Sequence, residues 1–263
     1  MDLQLDGKLA LVTGSTAGIG YAIAESLARE NARVIVSGRT QARVDAALAR
    51  LARATGKEAL GLAADLGTAS GAAEAIRRFP HVDILVNNLG IFEPKPFEQI
   101  DDSDWMRFFE VNVLSGVRLS RHYLPLMKKA GWGRIIFISS ESAVNIPAEM
   151  IHYGTTKTAQ LAISRGLAET TVGTGVTVNA VLPGPTASEG VETFVEQMAA
   201  ARNTDRAAVE REFFHSVRPS SLLQRFATPE EVAAMVTFVA SPLSSATNGA
   251  ALRVDGGVVR SIV

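Results

Sequence analysis

The sequence predicts an α/β fold, a doubly wound parallel sheet with helices on both faces. Three observations predict it. Short apolar runs alternate with longer amphipathic or Ala-rich segments almost from end to end. Each run is continuously apolar, as strands covered on both faces are, where a half-exposed strand would alternate. No linker, repeat or low-complexity stretch interrupts the 263 residues, so the reading is a single domain over 1–263.

In chain order, LALVTG (9–14) is the first strand, and a helix follows over about 18–30. RVIVSG (33–38) leads to a helix at 40–55, and ALGLAAD (59–65) to one at 68–79. VDILVNN (82–88) precedes a long helical stretch, 103–130; GRIIFISS (133–140) precedes another, 152–172. VTVNAVLPG (176–184) is the sixth strand, and AALRVDGG (250–257) is the seventh, after a helix at 229–240. Residues 185–224 break this rhythm with helical pieces such as GVETFVEQMAAARN and AAVEREFFHSV. So long an excursion from a strand's carboxyl edge reads as a lid or substrate-binding segment, with a pair of packing helices as the other reading.

Composition narrows the chemistry. There is no cysteine, which removes disulfides, thiolate nucleophiles and cysteine metal sites. The four histidines (His81, His122, His152, His215) lack metal-binding spacing, so no metal is expected. A formal net charge of −1 points to neither a nucleic-acid nor a membrane surface. The start, MDLQLDGK, is polar and no run approaches a membrane span, so the chain reads as cytoplasmic.

In such a fold, ligands bind at the carboxyl ends of the strands. After the first strand comes TGSTAGIG (13–20), with Gly14, Gly18 and Gly20 opening a helix. Glycines let the backbone approach a pyrophosphate, and a helix N-terminus offers free N–H groups. Tight strand–helix turns use glycine too, so position is what favours a dinucleotide. The second strand ends in Ser37-Gly38-Arg39, with glycine where an acid would bond the ribose of NAD. Arg39 suits a 2′-phosphate, which favours NADP(H) over NAD(H); a solvated loop arginine is the alternative. Asp65, closing the third strand, and Asn87-Asn88-Leu89-Gly90, closing the fourth, add polar groups or ordinary turns.

The reacting end is IHYGTTKTAQ (151–160), where Tyr153 and Lys157 share one helix face. A nearby ammonium lowers a phenol's pKa and fits it for proton transfer, although most Tyr–Lys pairs at this spacing are surface decoration. Ser140 ends the fifth strand and could donate to a substrate carbonyl oxygen, or form a cap or turn. His152 points elsewhere along the helix, which rules out a serine triad. Asn112 interrupts the apolar FFEVNVL, either to hold a water that links Lys157 to solvent or as a structural amide.

TGSTAGIG, NNLG, Asn112, Ser140, YGTTK and the LPG of 182–184 together resemble the short-chain dehydrogenase/reductase family, over nearly the whole chain. The resemblance implies a Rossmann-type domain with a seven-stranded parallel sheet and hydride transfer between nicotinamide C4 and a carbonyl or secondary alcohol carbon. Tyr153 would then protonate the alkoxide, while Lys157 binds the nicotinamide ribose and lowers the tyrosine pKa. Ser140 would orient the carbonyl and Asn112 support the relay water. Gly14, Ser15, Thr16, Ala17 and Ile19 would line the pyrophosphate turn with Gly18 and Gly20. Asp65 and Leu66 would meet adenine, Asn88 and Gly90 the adenosine ribose, and Pro183, Gly184 and Thr186 the nicotinamide end. Leu89 stands where the family usually has alanine, either crowding the cofactor side or packing the core. The family also implies a homotetramer, and a small-molecule carbonyl or alcohol as substrate. A 3-oxoacyl-[acyl-carrier-protein] reductase-like activity fits the same resemblance. A catalytically silent dinucleotide sensor is the non-enzyme alternative, but it has no need of all four reactive groups.

Overall fold

The computed structural model describes residues 2–262. Its sheet has seven parallel strands in the order β3-β2-β1-β4-β5-β6-β7. They are β1 (Leu9–Val12), β2 (Arg33–Gly38), β3 (Leu60–Ala63), β4 (Ile84–Asn87), β5 (Gly133–Ile138), β6 (Val176–Pro183) and β7 (Ala251–Val254). Helices α1 (Gly18–Arg29), α2 (Gln41–Thr55), α3 (Ala69–Arg78), α4 (Asp102–Phe109), α5 (Ser115–Ala130) and α6 (Ile151–Glu169) connect the first six strands. Helices α7 (Glu189–Ala201), α8 (Arg206–Glu212) and α9 (Pro229–Ala240) lie between β6 and β7.

The apolar runs bury two cores, one on each face of the sheet. On one face Ile23 and Leu27 of α1, Leu51 of α2 and Val232, Val236 and Val239 of α9 pack on Val12, Val34 and Val36. On the other, Ala72 and Ala75 of α3, Leu119, Tyr123 and Met127 of α5 and Ala168 of α6 pack on Leu11, Leu85 and Ile135. Burying aliphatic side chains on both sides is what makes these strands continuously apolar in sequence. The chain turns back between β3 and β4, so β1 and β4 are neighbours, and their carboxyl ends open the crevice of the strand-order switch.

Several strands are shorter than their apolar runs. The trailing Thr13-Gly14, Asn88 and Ser139-Ser140 lie past the strands proper: Thr13 N and Ser139 N still donate to Val86 O and Val181 O before the chain turns at the carboxyl edge. The helix expected over 103–130 is two helices joined by a five-residue π turn, Glu110–Leu114. Single π turns inside helices widen the backbone locally and recur at functional sites. Residues 185–224 form α7, α8 and a second π turn (Phe213–Val217), and carry a small core of their own. In that core Val195, Ala199, Val209 and Phe214 pack with Phe226. Among the described residues no helix is long and apolar enough to cross a membrane.

Candidate active site

The turn after β1 is cross-linked before any ligand enters it. Ser15 Oγ donates to Val12 O (2.7 Å) and accepts from Ser37 N (2.9 Å). Ser37 Oγ accepts from Gly14 N (3.0 Å), and Thr13 Oγ1 accepts from the backbone N–H groups of Asn88 and Leu89, each at 2.9 Å. Asn88 Nδ2 donates to Thr13 O (2.8 Å) and Gly14 O (3.1 Å). Gly20 is where this clamp needs glycine: a Cβ there would lie 2.4 Å from Asn88 Nδ2 and 2.5 Å from Gly14 O. Gly14 sits at φ +63°, a conformation side chains disfavour. Beyond it Ala17 begins α1 without a side-chain cap, and the first turn carries no acid. The N-terminal N–H groups of α1 are therefore left for an anion.

Three side chains of the expected set are already engaged by protein. Ser15 lines the turn, but its hydroxyl is spent on Val12 and Ser37 and its side chain is fully buried. Asn88 spends both amide hydrogens on the turn, so it holds the glycine loop instead of offering them to a ribose. The Leu66 side chain lies in the core, which leaves only its backbone to face an adenine. Asp65 is exposed at the carboxyl end of β3, with Oδ1 accepting from Gly67 N (3.0 Å). Leu89 packs against the second core, so its bulk fills protein space. Arg39 is exposed beyond the tip of β2. Pro183 ends β6, Gly184 N donates to Val254 O (3.0 Å) and Thr186 Oγ1 donates to Gly184 O (2.9 Å).

At the other end, α6 is tied to the tip of β5. Ser139 Oγ donates to Lys157 O (2.9 Å), and Thr158 Oγ1 donates to Ala143 O (2.8 Å). These ties bring the Ser140 hydroxyl near the Tyr153 phenol, whose pKa burial raises and the serine pulls partly back; Ser140 Oγ also accepts from Ser142 N (3.1 Å). The ammonium of Lys157 is 5.7 Å from the centroid of the Tyr153 ring and donates to Ile138 O (2.9 Å). Gly90 keeps the space beside it open, since a Cβ at that position would lie 3.3 Å from Lys157 Nζ. Asn112, Ser140, Tyr153 and Lys157 thus lie at one end of the crevice.

Two details differ from the expectation. The Asn112 side chain is anchored to protein: Oδ1 accepts from Ile91 N (2.8 Å), and Nδ2 donates to Ile91 O and Thr156 Oγ1, both at 3.0 Å. Its backbone carbonyl, where a water was one expectation, accepts from Gln160 Nε2 at 2.5 Å. The phenol is also less acidic than expected. Burial pushes Tyr153 up to about 12 against the pull of Ser140, and burial pushes Lys157 down to about 8. Desolvation disfavours both charged forms, and here it outweighs the expected mutual stabilisation.

Sequence reasoning missed Gln160 and Arg218. Arg218 follows the second π turn and reaches back 77 residues, its Nε donating to Glu141 Oε1 at 3.1 Å. It also pairs with Glu149 at 3.4 Å, so the 185–224 segment is fastened to the loop between Ser140 and Tyr153. Burial raises the pKa of Glu141, and the Arg218 guanidinium opposes that rise. No local pattern links residues so far apart. Gln160 had a weak signal, a long polar side chain among the inward positions of α6. His152 is buried against Phe108 (centroids 4.0 Å apart) and edge-on to Trp105 (6.1 Å), away from the site as expected.

The family model for short chain dehydrogenases matches residues 8–199. The uncharacterized oxidoreductase YvaG of Bacillus subtilis is 54% identical over 263 residues, all of both chains. The 3-oxoacyl-[acyl-carrier-protein] reductase FabG of Aquifex aeolicus is 35% identical, over 98% of this chain and all of that protein. Among solved structures, L-sorbose reductase from Gluconobacter frateurii, complexed with NADPH and L-sorbose, superposes with a TM-score of 0.92. That match has 31% identity and covers all of both chains. With the sheet order, the glycine turn and the Ser–Tyr–Lys cluster all in place, the chain belongs to the short-chain dehydrogenase/reductase family of oxidoreductases.

Proposed function

We propose that this oxidoreductase transfers a hydride between NADP(H) and a carbonyl or secondary alcohol, with Tyr153 as the general acid and base. The observation that carries the reading is the buried Lys157 ammonium 5.7 Å from the centroid of the Tyr153 ring, with the Ser140 hydroxyl near the same phenol. When bound, the nicotinamide supplies the hydride to the carbonyl carbon. Ser140 donates to the carbonyl oxygen and stabilises the charge that develops there. Tyr153 gives its proton to that oxygen. A phenol held protonated at neutral pH is a suitable donor for reduction, and the Lys157 charge offsets the phenolate as it forms.

The residues present fit a dinucleotide. The uncapped start of α1 would hold the pyrophosphate, and the space that Gly90 keeps clear beside Lys157 would admit the ribose of the nicotinamide. NADP is favoured over NAD because Gly38 stands where an acid would bond the ribose of NAD, and a side chain there would have to displace Thr16. A Cβ at that position would lie 2.5 Å from Thr16 Cγ2, while Arg39 is exposed next to it. Residues 185–224 serve as the substrate lid, fastened through Arg218. Family membership alone supports a cytoplasmic homotetramer; sedimentation as a monomer would remove the tetramer.

The test is NADPH oxidation with a panel of ketones and diketones. Wild type should turn over at least one, and Tyr153→Phe should lose about a hundredfold or more of that rate. Equal rates in the two proteins would overturn the reading, and tight NADPH binding without any turnover would favour a dinucleotide sensor.

A further inference from the structure

The Lys157 ammonium meets a side chain, Gln160, where a solvent molecule was expected. Gln160 lies one helical turn beyond Lys157 and is 1% exposed. Its Oε1 accepts from Lys157 Nζ at 3.4 Å and its Nε2 donates to the backbone carbonyl of Asn112 at 2.5 Å. The amide orientation follows from the partners, since an ammonium can only donate and a carbonyl can only accept. Asn112 belongs to the π turn, and its side chain is anchored to Ile91 and Thr156. Thr156 in turn donates to Tyr153 O at 2.7 Å.

We propose that Gln160 is a positioning residue: its carboxamide bridges the Lys157 ammonium to the Asn112 carbonyl and fixes the ammonium beside Tyr153. The role rests on the assignment of Tyr153 and Lys157 as the reacting pair. A carboxamide is a poor proton carrier, so the bridge holds the charge in place and conducts nothing. With Ile138 O it gives the desolvated ammonium two protein acceptors.

The role predicts an order of variants opposite to that of packing. In Gln160→Leu the volume is kept but the ammonium and the carbonyl lose their partner. In Gln160→Ala the cavity is lined by a donor and an acceptor, which suits one water. A structural role would make alanine the worse variant, because cavities destabilise cores. The experiment measures kcat and KM for butane-2,3-dione with NADPH in wild type, both variants and Tyr153→Phe, with a crystal structure of Gln160→Ala. Leucine should lower kcat about tenfold with KM nearly unchanged, as losing a hydrogen bond to a charged group would. Alanine should retain more kcat than leucine, and a water should bridge Lys157 Nζ and Asn112 O.

Leucine equal to or better than alanine, with Tyr153→Phe inactive, would overturn the bridge and leave the proposed function standing. Full activity in Tyr153→Phe would overturn the proposed function instead. The crystal structure then judges the bridge alone: a bridging water supports it, and a dry or collapsed cavity overturns it. If Gln160→Ala does not fold, Gln160→Ser replaces it in every comparison.

Discussion

At the β1–β2 end of the crevice, Thr13, Ser15, Ser37 and Asn88 join strand tips through neutral hydrogen bonds, and the surface offered to a ligand is backbone. At the β5–α6 end the surface is made of ionisable side chains, and Lys157, Glu141 and Arg218 are all buried. Apart from Arg39 at its rim, the first end needs only shape and free N–H groups, so it tolerates the loss of one cross-link at about 1 kcal/mol. The second concentrates charge in a low-dielectric setting, where each group is expensive to leave unpaired. Single substitutions should therefore act gently at one end and severely at the other.

The largest effect is expected at Lys157. Lys157→Met should cut turnover by about a hundredfold or more, a loss typical of disabled acid–base catalysis. The wild-type pH profile sharpens the point. Reduction needs the ammonium charged and the phenol protonated, and burial sets the first near 8 and the second near 12. Turnover in the reductive direction should fall as pH rises through about 8, and this limb belongs to Lys157. In Lys157→Met the residual rate should be flat across that range. A limb that survives the substitution would assign it to another group and weaken the contrast between the two ends.

How much of this was legible in the sequence follows the same divide. The alternation of strands and helices, the glycine turn and the Tyr153–Lys157 spacing are local patterns, carried by nearby residues; the order in which the strands pair is not. The helix over 103–130 was read as continuous across Asn112; the structure has a π turn there, and the Asn112 side chain bonds to Ile91, 21 residues away. The bond from Asn88 to Gly14 spans 74 residues, and that from Arg218 to Glu141 spans 77. Contacts between such separated residues leave no periodicity to read. The phenol's pKa was misjudged for a related reason: charge partners can be guessed from spacing, but burial depends on the whole fold.

The next effect is on stability. Arg218→Ala would leave Glu141 buried without its cation and release the 185–224 segment from the loop before Tyr153. Breaking a buried pair from one side costs about 3 kcal/mol. Chemical denaturation should show a loss of that order, and limited proteolysis should cut first within 185–224. Stability and cleavage pattern like those of wild type would mean that the reacting end is less dependent on its charges than argued above. At the opposite end, Arg39→Ala should weaken NADPH about tenfold and leave NADH unchanged, with no loss of stability, because Arg39 is exposed. Equal losses for both cofactors, measured by titration calorimetry, would remove the argument for the 2′-phosphate.

The smallest effect separates catalysis from packing within the reacting end. His152 adjoins Tyr153 in sequence, yet its ring is buried among Trp105 and Phe108 and neither ring nitrogen has a hydrogen-bond partner. Burial lowers its pKa; Asp104 and Glu93 pull it upward, while Arg107 and Lys95 push it down. Because the folded value lies below the unfolded one of about 6.5, the unfolded chain binds a proton first as the medium is acidified. The stability present above about pH 6.5 is therefore lost as pH falls toward the folded value. His152→Leu removes a group with no bonds to lose, so it should cost little near pH 7.5 and flatten the acid side of the thermal unfolding curve. Turnover measured at pH 7.5 should stay near that of wild type, since the ring faces away from the phenol. An unchanged acid slope would place the titrating group elsewhere, and a large loss of turnover would extend the reacting end to a residue that packing alone explains here.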